Sequence, residues 1–514
     1  MPANYHSVSS IGSGTPGTRP NLESRLVADI TEEHLGTDPR VGGLSNRRKA
    51  AILATCCLCS LITGMDLTIA NLAIPSVRTD LAASAAHTQW VIAIYALVIA
   101  SLQLLGGAAG DRFGRRRVLQ TGLAIFMLGS LLCSLAPVID ALIAARALQA
   151  VGASMMNPVA LAIIAQVFIG PAERARAIGI WGSVFGASVA LGPVVGGVLI
   201  DLVGWRSVFW INLPVAAVAI AACALFVPES RSATIRGFDP VGQALAAGSL
   251  FGLVFVLIES PGRGWTHPWV VAIAAATACA FAGFLLHESR HPDPFIDLRF
   301  FRSIPFAAAA ATALCVFIVW GAFLFMMSIY LQGWRGYPPA HAGLLLLPVG
   351  LAVLVFSPVS GRLVGWVGSR PSLLIAGLMI AVMSTMLAFL TPMAPQWLLM
   401  TIFVAFGITF GMVTVPINYA AVTGMPQDRA GAAAGITSTS KQIGISVGVA
   451  LSGVLAAGAL SPPMGDFTAS ADPLWLFTFV LGLAIAVLAI VSTSPRAQRS
   501  AERLAPLITG ETGR

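Results

Sequence analysis

Asp66 is the one carboxylate that stands inside a long apolar run of this chain, away from the ends of that run. A charge placed there costs about 2.5–3.5 kcal/mol on membrane-insertion scales, so the residue is expected to work by gaining and losing a proton. Arg146 stands inside another such run. Counted at about 1.5 Å of rise per residue, the two side chains fall at similar depth and can pair. The plainer alternatives are a permanently neutral Asp66 that only packs, and an Asp–Arg pair that only braces two helices.

Other chemistries find little to work with. ATP-driven work needs the lysine of a G-x-x-x-x-G-K-[ST] loop, and neither of the two lysines, Lys49 and Lys441, has that context. The seven cysteines all lie in apolar runs, and their odd number argues against a disulfide framework. Cys56, Cys57 and Cys59 have no histidine nearby to complete a metal site, so packing is their expected role. His87, His267, His287, His291 and His341 fall at helix ends and loops and are assigned none, so no metal is expected. No nucleophile cluster points to an enzyme. The net charge of +8 comes from arginines placed between apolar runs, which is a matter of topology and not a nucleic-acid face.

The elements that position Asp66 and Arg146 must be membrane helices. Of 514 residues 57% are hydrophobic and 10% charged, against about 25% charged in a soluble domain. Apolar runs near 50–77, 88–110, 118–137, 141–168, 177–203, 206–227, 239–258, 267–287, 304–328, 342–362, 371–391, 397–420, 431–458 and 474–492 predict fourteen spans. Lipid offers backbone groups no partners, so each run closes its own hydrogen bonds as a helix. With the N-terminus inside, the inner loops carry fourteen arginines, among them Arg112, Arg117, Arg174, Arg236 and Arg429, against four outside. That bias places both termini in the cytoplasm.

Two segments recur at nearly one offset. Gly107 to Arg116 reappears weakly as Gly361 to Arg370, and Pro171, Glu173 and Arg174 as Pro426, Asp428 and Arg429, at 254 and 255 positions. The expected plan is an all-α membrane protein of two related six-helix halves with a midplane site between them. It divides into a disordered tail (1–48), a first half (49–227), an inserted helix pair (228–303), a second half (304–492) and a cytoplasmic C-terminal tail (493–514).

Five motifs carry a resemblance. Gly107, Asp111, Arg112, Gly114, Arg115 and Arg116 satisfy G-x-x-x-D-[RK]-x-G-R-[RK], the loop pattern of the major facilitator superfamily. There Asp111 can face a helix N-terminus while the arginines hold the cytoplasmic side. Asp66, Thr68, Asn71 and Pro75 resemble the first-helix signature of the fourteen-helix drug:proton antiporters. Arg146, Gln149 and Gly152 follow the R-x-x-Q-G-x-G-A pattern, with Ala150 in place of a glycine. Gly186, Gly192, Pro193, Gly196 and Gly197 match the glycine–proline helix associated with antiporters. Its G-x-x-x-G spacings at 182/186 and 192/196 predict close helix packing, and Gly192-Pro193 a hinge. The stretch Trp205, Arg206, Phe209, Asn212 and Pro214 is also similar to the family and reads as a structural corner.

The resemblance implies a major facilitator fold, proton coupling through Asp66 and Arg146, and a cytoplasmic gate at 107–116. It further implies export of a small molecule across a bacterial cytoplasmic membrane, by a protein that works as a monomer in lipid, driven by the proton gradient without a cofactor. The second half keeps the glycines without the charges: Thr401 stands at the offset of Arg146, and Gly321 at that of Asp66. No acid lies in 342–362 or 431–458, where Lys441 stands instead, so neutral, zwitterionic or anionic cargo is favoured over dications. Gln103, Gln149, Asn157, Trp320, Tyr330, Gln332 and Asn418 are candidates to line the path, with packing as the alternative for each. An importer or facilitator, or a transport-inactive sensor of the same fold, remains the competing reading.

Overall fold

Each long apolar run closes into a helix, and loops of a few residues reverse the chain between them. The computed structural model describes residues 44–231, 239–291, 294–423, 430–460 and 466–509. Arg236, Pro426, Asp428 and Arg429 lie outside the described residues, as does nearly all of the N-terminal segment 1–48.

The first six long helices are α1 (Asn46–Asp80), α2 (Ala85–Phe113), α3 (Arg115–Leu135), α4 (Ile139–Val167), α5 (Pro171–Val203) and α6 (Asn212–Phe226). An inserted pair follows, α7 (Pro240–Arg263) and α8 (Pro268–Arg290). The last six are α9 (Ile304–Ile329), α10 (Leu347–Val367), α11 (Ser369–Leu387), α12 (Gln396–Val422), α13 (Ala430–Leu455) and α14 (Phe467–Ser492). Thirteen helical segments among the described residues are long and apolar enough to cross a membrane. The helix α13 is not one of them, because Ser438, Thr439, Ser440, Lys441 and Gln442 interrupt its apolar sequence.

Caps and prolines set the starts. Ser45 accepts from the Arg48 N–H and Ser84 from the His87 N–H, while prolines open α5, α7 and α8 at the first turn, where a missing N–H costs nothing. Within segment 493–514, Pro495–Thr509 forms α15. Ala497 and Ala501, one turn apart, are its buried face, and Ser500 Oγ accepts from the Ile304 N–H at 2.9 Å.

Helices α1 to α6 pack chiefly on one another, as do α9 to α14, and the two groups touch along α2–α13 and α5–α10. Direction alternates, so α1 starts and α14 ends at the same end of the bundle, here the terminal end. The opposite, or far, end is closed by contacts between the groups. Gln89 donates to the Val449 carbonyl at 3.0 Å, Ser446 to the Ala93 carbonyl at 3.1 Å, and Gln332 to the Leu72 carbonyl at 2.8 Å. Arg78 reaches the Leu460 carbonyl. Side chains such as Leu128, Leu131, Leu132 and Leu135 stand exposed on the outside of α3, where lipid solvates them at no cost.

Candidate functional site

The structure brings Asp66 and Arg146 together. The two residues are 0% and 1% exposed, and Arg146 Nη1 lies 2.7 Å from Asp66 Oδ2. Two buried charges survive only when the remaining donors and acceptors are also satisfied. Gln149, one turn along α4 from Arg146, does most of this. Its Oε1 accepts from Arg146 Nη1 at 2.6 Å, and its Nε2 donates to Asp66 Oδ1 at 3.0 Å and Ser130 Oγ at 2.8 Å. Asn212 Nδ2 adds longer contacts to Asp66 Oδ1 and Ser130 Oγ, both 3.4 Å. Arg146 Nε donates to the Val91 carbonyl at 3.3 Å, and the guanidinium lies 4.2 Å over the Tyr95 ring. Five of the first six helices, α1 to α4 and α6, thereby contribute to one buried cluster around Asp66.

Two sequence expectations change here. Gln149 is fully buried and bonded within this cluster, so it braces the pair instead of lining a path. Asn212 belongs to the same cluster and not merely to the corner. The corner itself is real: Trp205 Nε1 and Arg206 Nη1 both donate to Asp80 Oδ2, at 2.9 and 2.7 Å. Ser130 escapes sequence reasoning altogether, since a serine in an apolar run carries no distinguishing signal.

The glycines of α5 divide into two sets. Ser188, Gly192 and Gly196 form a stripe against α1: a Cβ on Gly192 would overlap Thr68 Oγ1, one on Gly196 would overlap Ile69, and one on Gly64 would overlap Ser188. A Cβ on Gly197 would overlap the Pro339 carbonyl, and one on Gly343 the Pro193 carbonyl, so α5 is pressed equally against the second group. Gly182 and Gly186 are different. Nothing lies within 4 Å of a Cβ at either, so the expected close packing at 182/186 does not occur. Towards the terminal end α5 has left its neighbour there. The helix runs unbroken from Pro171 to Val203 through Pro193, whose ring leaves one backbone carbonyl without its N–H.

At the terminal end the loop between α2 and α3 is fixed by side chains. Asp111 accepts from Arg115 Nη2 at 2.9 Å, not from a helix N-terminus, and Arg115 Nη1 reaches Gln166 at 2.9 Å. Gly114 has φ +110, a backbone conformation open to glycine, and Glu229 Oε1 lies 2.5 Å from where its Cβ would be. Glu229, unmarked in the sequence, also accepts from the Arg116 N–H at 3.2 Å and pairs with Arg117 at 3.5 Å. Arg116 donates to the Ala224 carbonyl at 2.6 Å, while Arg112 lies over Phe113 and is exposed. Gly107 has only ordinary contact with Pro158.

Of the path candidates, Asn157 pairs with Thr63 and Asn418 accepts from Lys441 Nζ at 3.1 Å. Gln103 is buried on α2. Gln332 is used in closing the far end. Trp320 stacks on Phe406 in an aromatic group with Phe317 and Phe410. Tyr330 is fully buried and donates to the Thr391 carbonyl at 2.7 Å, which makes it a packing residue.

Comparison with known proteins agrees with this architecture. The profile of the Major Facilitator Superfamily matches residues 56–449. The multidrug resistance protein Stp of Mycobacterium tuberculosis is 35% identical over 433 residues, covering 84% of this chain and 80% of that protein. The tetracenomycin C resistance and export protein of Streptomyces glaucescens is 34% identical over 80% of this chain and 77% of its own. The puromycin resistance protein pur8 of Streptomyces alboniger is 35% identical over 79% and 81%. Two solved structures share the fold with TM-scores of 0.62. One, from work on proton dependent oligopeptide transporters, is 17% identical and covers 89% of this chain and all of its own; the other, the D-xylose-proton symporter, is 15% identical and covers 85% and 96%. The relatives uphold the resemblance to drug antiporters at the level of the family. A bundle of this many apolar helices, matched by that profile over most of its length, is a multi-pass protein of the inner membrane in a bacterium, and the chain belongs to the Major Facilitator Superfamily.

Proposed function

We propose that this protein is a proton-coupled antiporter that exports a small, largely apolar drug, antibiotic or metabolite by alternating access between its two six-helix halves. The observation that carries the reading is the buried Asp66–Arg146 pair on a helix gripped by the Gly192/Gly196 stripe of α5. The ion pair exists only while Asp66 is deprotonated. A proton on Oδ2 removes the charge that Arg146 faces and leaves a buried guanidinium under-paired, a change worth about 3–5 kcal/mol if nothing moves. Movement of α1 relieves it, and α1 is in backbone-close contact with α5, which in turn touches the second half at Pro339 and Gly343. Protonation of Asp66 thereby reaches the contact between the halves.

With fourteen spans, α13 included, and the termini in the cytoplasm as the arginine bias indicates, the described state is open inward and closed outward. In it Asp66 has given its proton to the cytoplasm, and the pair is formed. On the outward-open side Asp66 takes a proton, cargo is released, and the loop at 107–116 with Glu229 latches and unlatches the inner mouth. The gradient supplies the driving force, and no cofactor takes part in the cycle. Lys441 supports the cargo class: it stands beside Asn418 with Phe317 at 5.9 Å, and no carboxylate among the described residues pairs with it. Neutral, zwitterionic or anionic compounds suit that surface.

The test is drug-driven proton flux in inside-out vesicles, wild type beside Asp66→Asn, with neutral, anionic and cationic compounds. Compound-dependent proton release in wild type and its loss in the variant are expected. Release that survives in Asp66→Asn removes Asp66 from the coupling role. A wild type that moves a compound without moving protons makes the protein a facilitator.

A further inference from the structure

The inserted pair α7–α8 carries a group of ligating side chains that the transport reading leaves unused. We propose that Asp239, His287 and His291, with the buried carboxylate of Glu288 beside Asp239, form a binding site for a divalent transition-metal ion of the zinc or cobalt class, which clasps α7 to α8 at the terminal end of the bundle.

The residues are of the right kind in the right order. His287, Glu288, Ser289, Arg290 and His291 read H-E-x-x-H, a spacing that puts two imidazoles on one face of a helix end. Asp239 is the N-cap of α7, and the fold lays it beside them. One donor atom each from Asp239, His287 and His291 lies within 4.8 Å of the others. His287 Nε2 is 3.0 Å from both Asp239 oxygens, and the two imidazole centroids are 5.0 Å apart. Bonds of about 2.0–2.1 Å in a tetrahedral zinc site set donors roughly 3.3 Å apart. The Asp239–His287 edge already has that length, and a side-chain rotation supplies the rest.

Glu288 provides the independent sign of a missing cation. It is 4% exposed, and its Oε2 accepts from the Ile296 N–H at 3.1 Å, but its Oε1 has no hydrogen-bond partner among the described residues. That oxygen and Asp239 Oδ2 both crowd the point above Gly242, each within 2.6 Å of where its Cβ would be. Two buried carboxylate oxygens facing one another are costly unless a cation or proton lies between them. Capping explains only part of Asp239. Its Oδ1 accepts from the Gly242 N–H at 2.8 Å, while Oδ2 faces His287 Nε2, at 3.0 Å, the contact an ion would enter.

The ion has a route in, since the His287 side chain is 26% exposed. Nitrogen and carboxylate donors together suit zinc and cobalt better than calcium or magnesium, which take oxygen alone. The ion serves here as a clasp and not as a hydrolytic centre, because Glu288, the base in that chemistry, is tied to a backbone N–H and turned towards Asp239. A clasp has something to hold: one turn beyond Asp239, Gln243 Nε2 donates to the Ser101 carbonyl of α2 at 2.6 Å.

The experiment uses the full-length protein on a histidine-free tag, in lipid nanodiscs, stripped with a chelator and titrated with Zn2+ by calorimetry and with Co2+ by visible spectroscopy. One equivalent bound at micromolar affinity or tighter is expected, with Co2+ bands of a low-symmetry nitrogen–oxygen site and a rise in melting temperature on zinc addition. His287→Ala and His291→Ala should each weaken binding at least tenfold, and His341→Ala should leave it unchanged. Asp239→Asn keeps a capping oxygen and replaces a histidine variant that fails to fold. A stripped wild type that binds neither ion, or histidine variants that bind as wild type does, overturns the proposal.

Discussion

Thr68 Oγ1 on α1 occupies the space that a side chain on Gly192 of α5 would need, two residues along from the carboxylate of Asp66. Backbone-close contact of this kind transmits displacement, because neither helix can move without the other. Gly192→Val is therefore expected to destabilise the protein by about 1–3 kcal/mol and to abolish compound-driven proton release. Gly186→Ala, which meets open space, should retain both stability and flux. A thermal shift assay and vesicle flux on the two variants check the pair.

Arg146→Ala leaves Asp66 buried without its cation. The expected loss is about 3–5 kcal/mol of stability, with no proton coupling. Asp66→Asn together with Arg146→Gln removes both charges and should recover most of the stability while leaving coupling absent. A denaturation series on the two singles and the double measures the interaction directly.

Gln149→Leu removes the amide that bonds Asp66, Arg146 and Ser130 at once. Each buried group left unsatisfied costs about 1–3 kcal/mol. Reduced thermal stability and a shifted pH dependence of proton flux are expected, whereas Thr401→Val, exposed on α12, should change neither.

Gly114→Ala strains a residue at φ +110 and drives a Cβ into Glu229. About 1–3 kcal/mol of strain is expected, with slowed transport that Glu229→Ala partly relieves. Steady-state flux on the single and double variants decides this.

Lys441→Met should lower flux of anionic compounds relative to neutral ones, and Lys441→Glu should admit cations that wild type rejects. Competition among a charged series in vesicles reads the preference. Equal treatment of all charges by the three proteins removes Lys441 from the path.

Much of this arrangement is legible in the sequence because charge inside an apolar run is rare. Asp66 and Arg146 stand out on that ground alone, and α1 and α4 do bring them together. The partners Ser130 and Asn212 do not stand out, since hydroxyls and amides recur throughout such helices and only the fold selects among them. Glycine spacing has the same weakness. The intervals 182/186 and 192/196 are identical in sequence, yet only the second meets a neighbour, because the helices diverge with depth. The order at 287–291 gains meaning only when Asp239, 48 positions away from His287, is laid beside it.

The position of α7 has a consequence for the bilayer. It packs on both α2 and α13, and Trp90 donates to its Glu259 at 3.0 Å while Gln243 fastens its other end. The seam between the groups on that flank is thus shielded from acyl chains. Among the described residues the opposite seam, between α5 and α10, has only the short helix Pro339–Leu345 packed at its far end, and Gly182 and Gly186 of α5 meet nothing on its terminal side. One flank of the molecule is covered by α7 and the other is not, so an amphiphile dissolved in the leaflet reaches the α5–α10 seam directly and the α2–α13 seam only past α7.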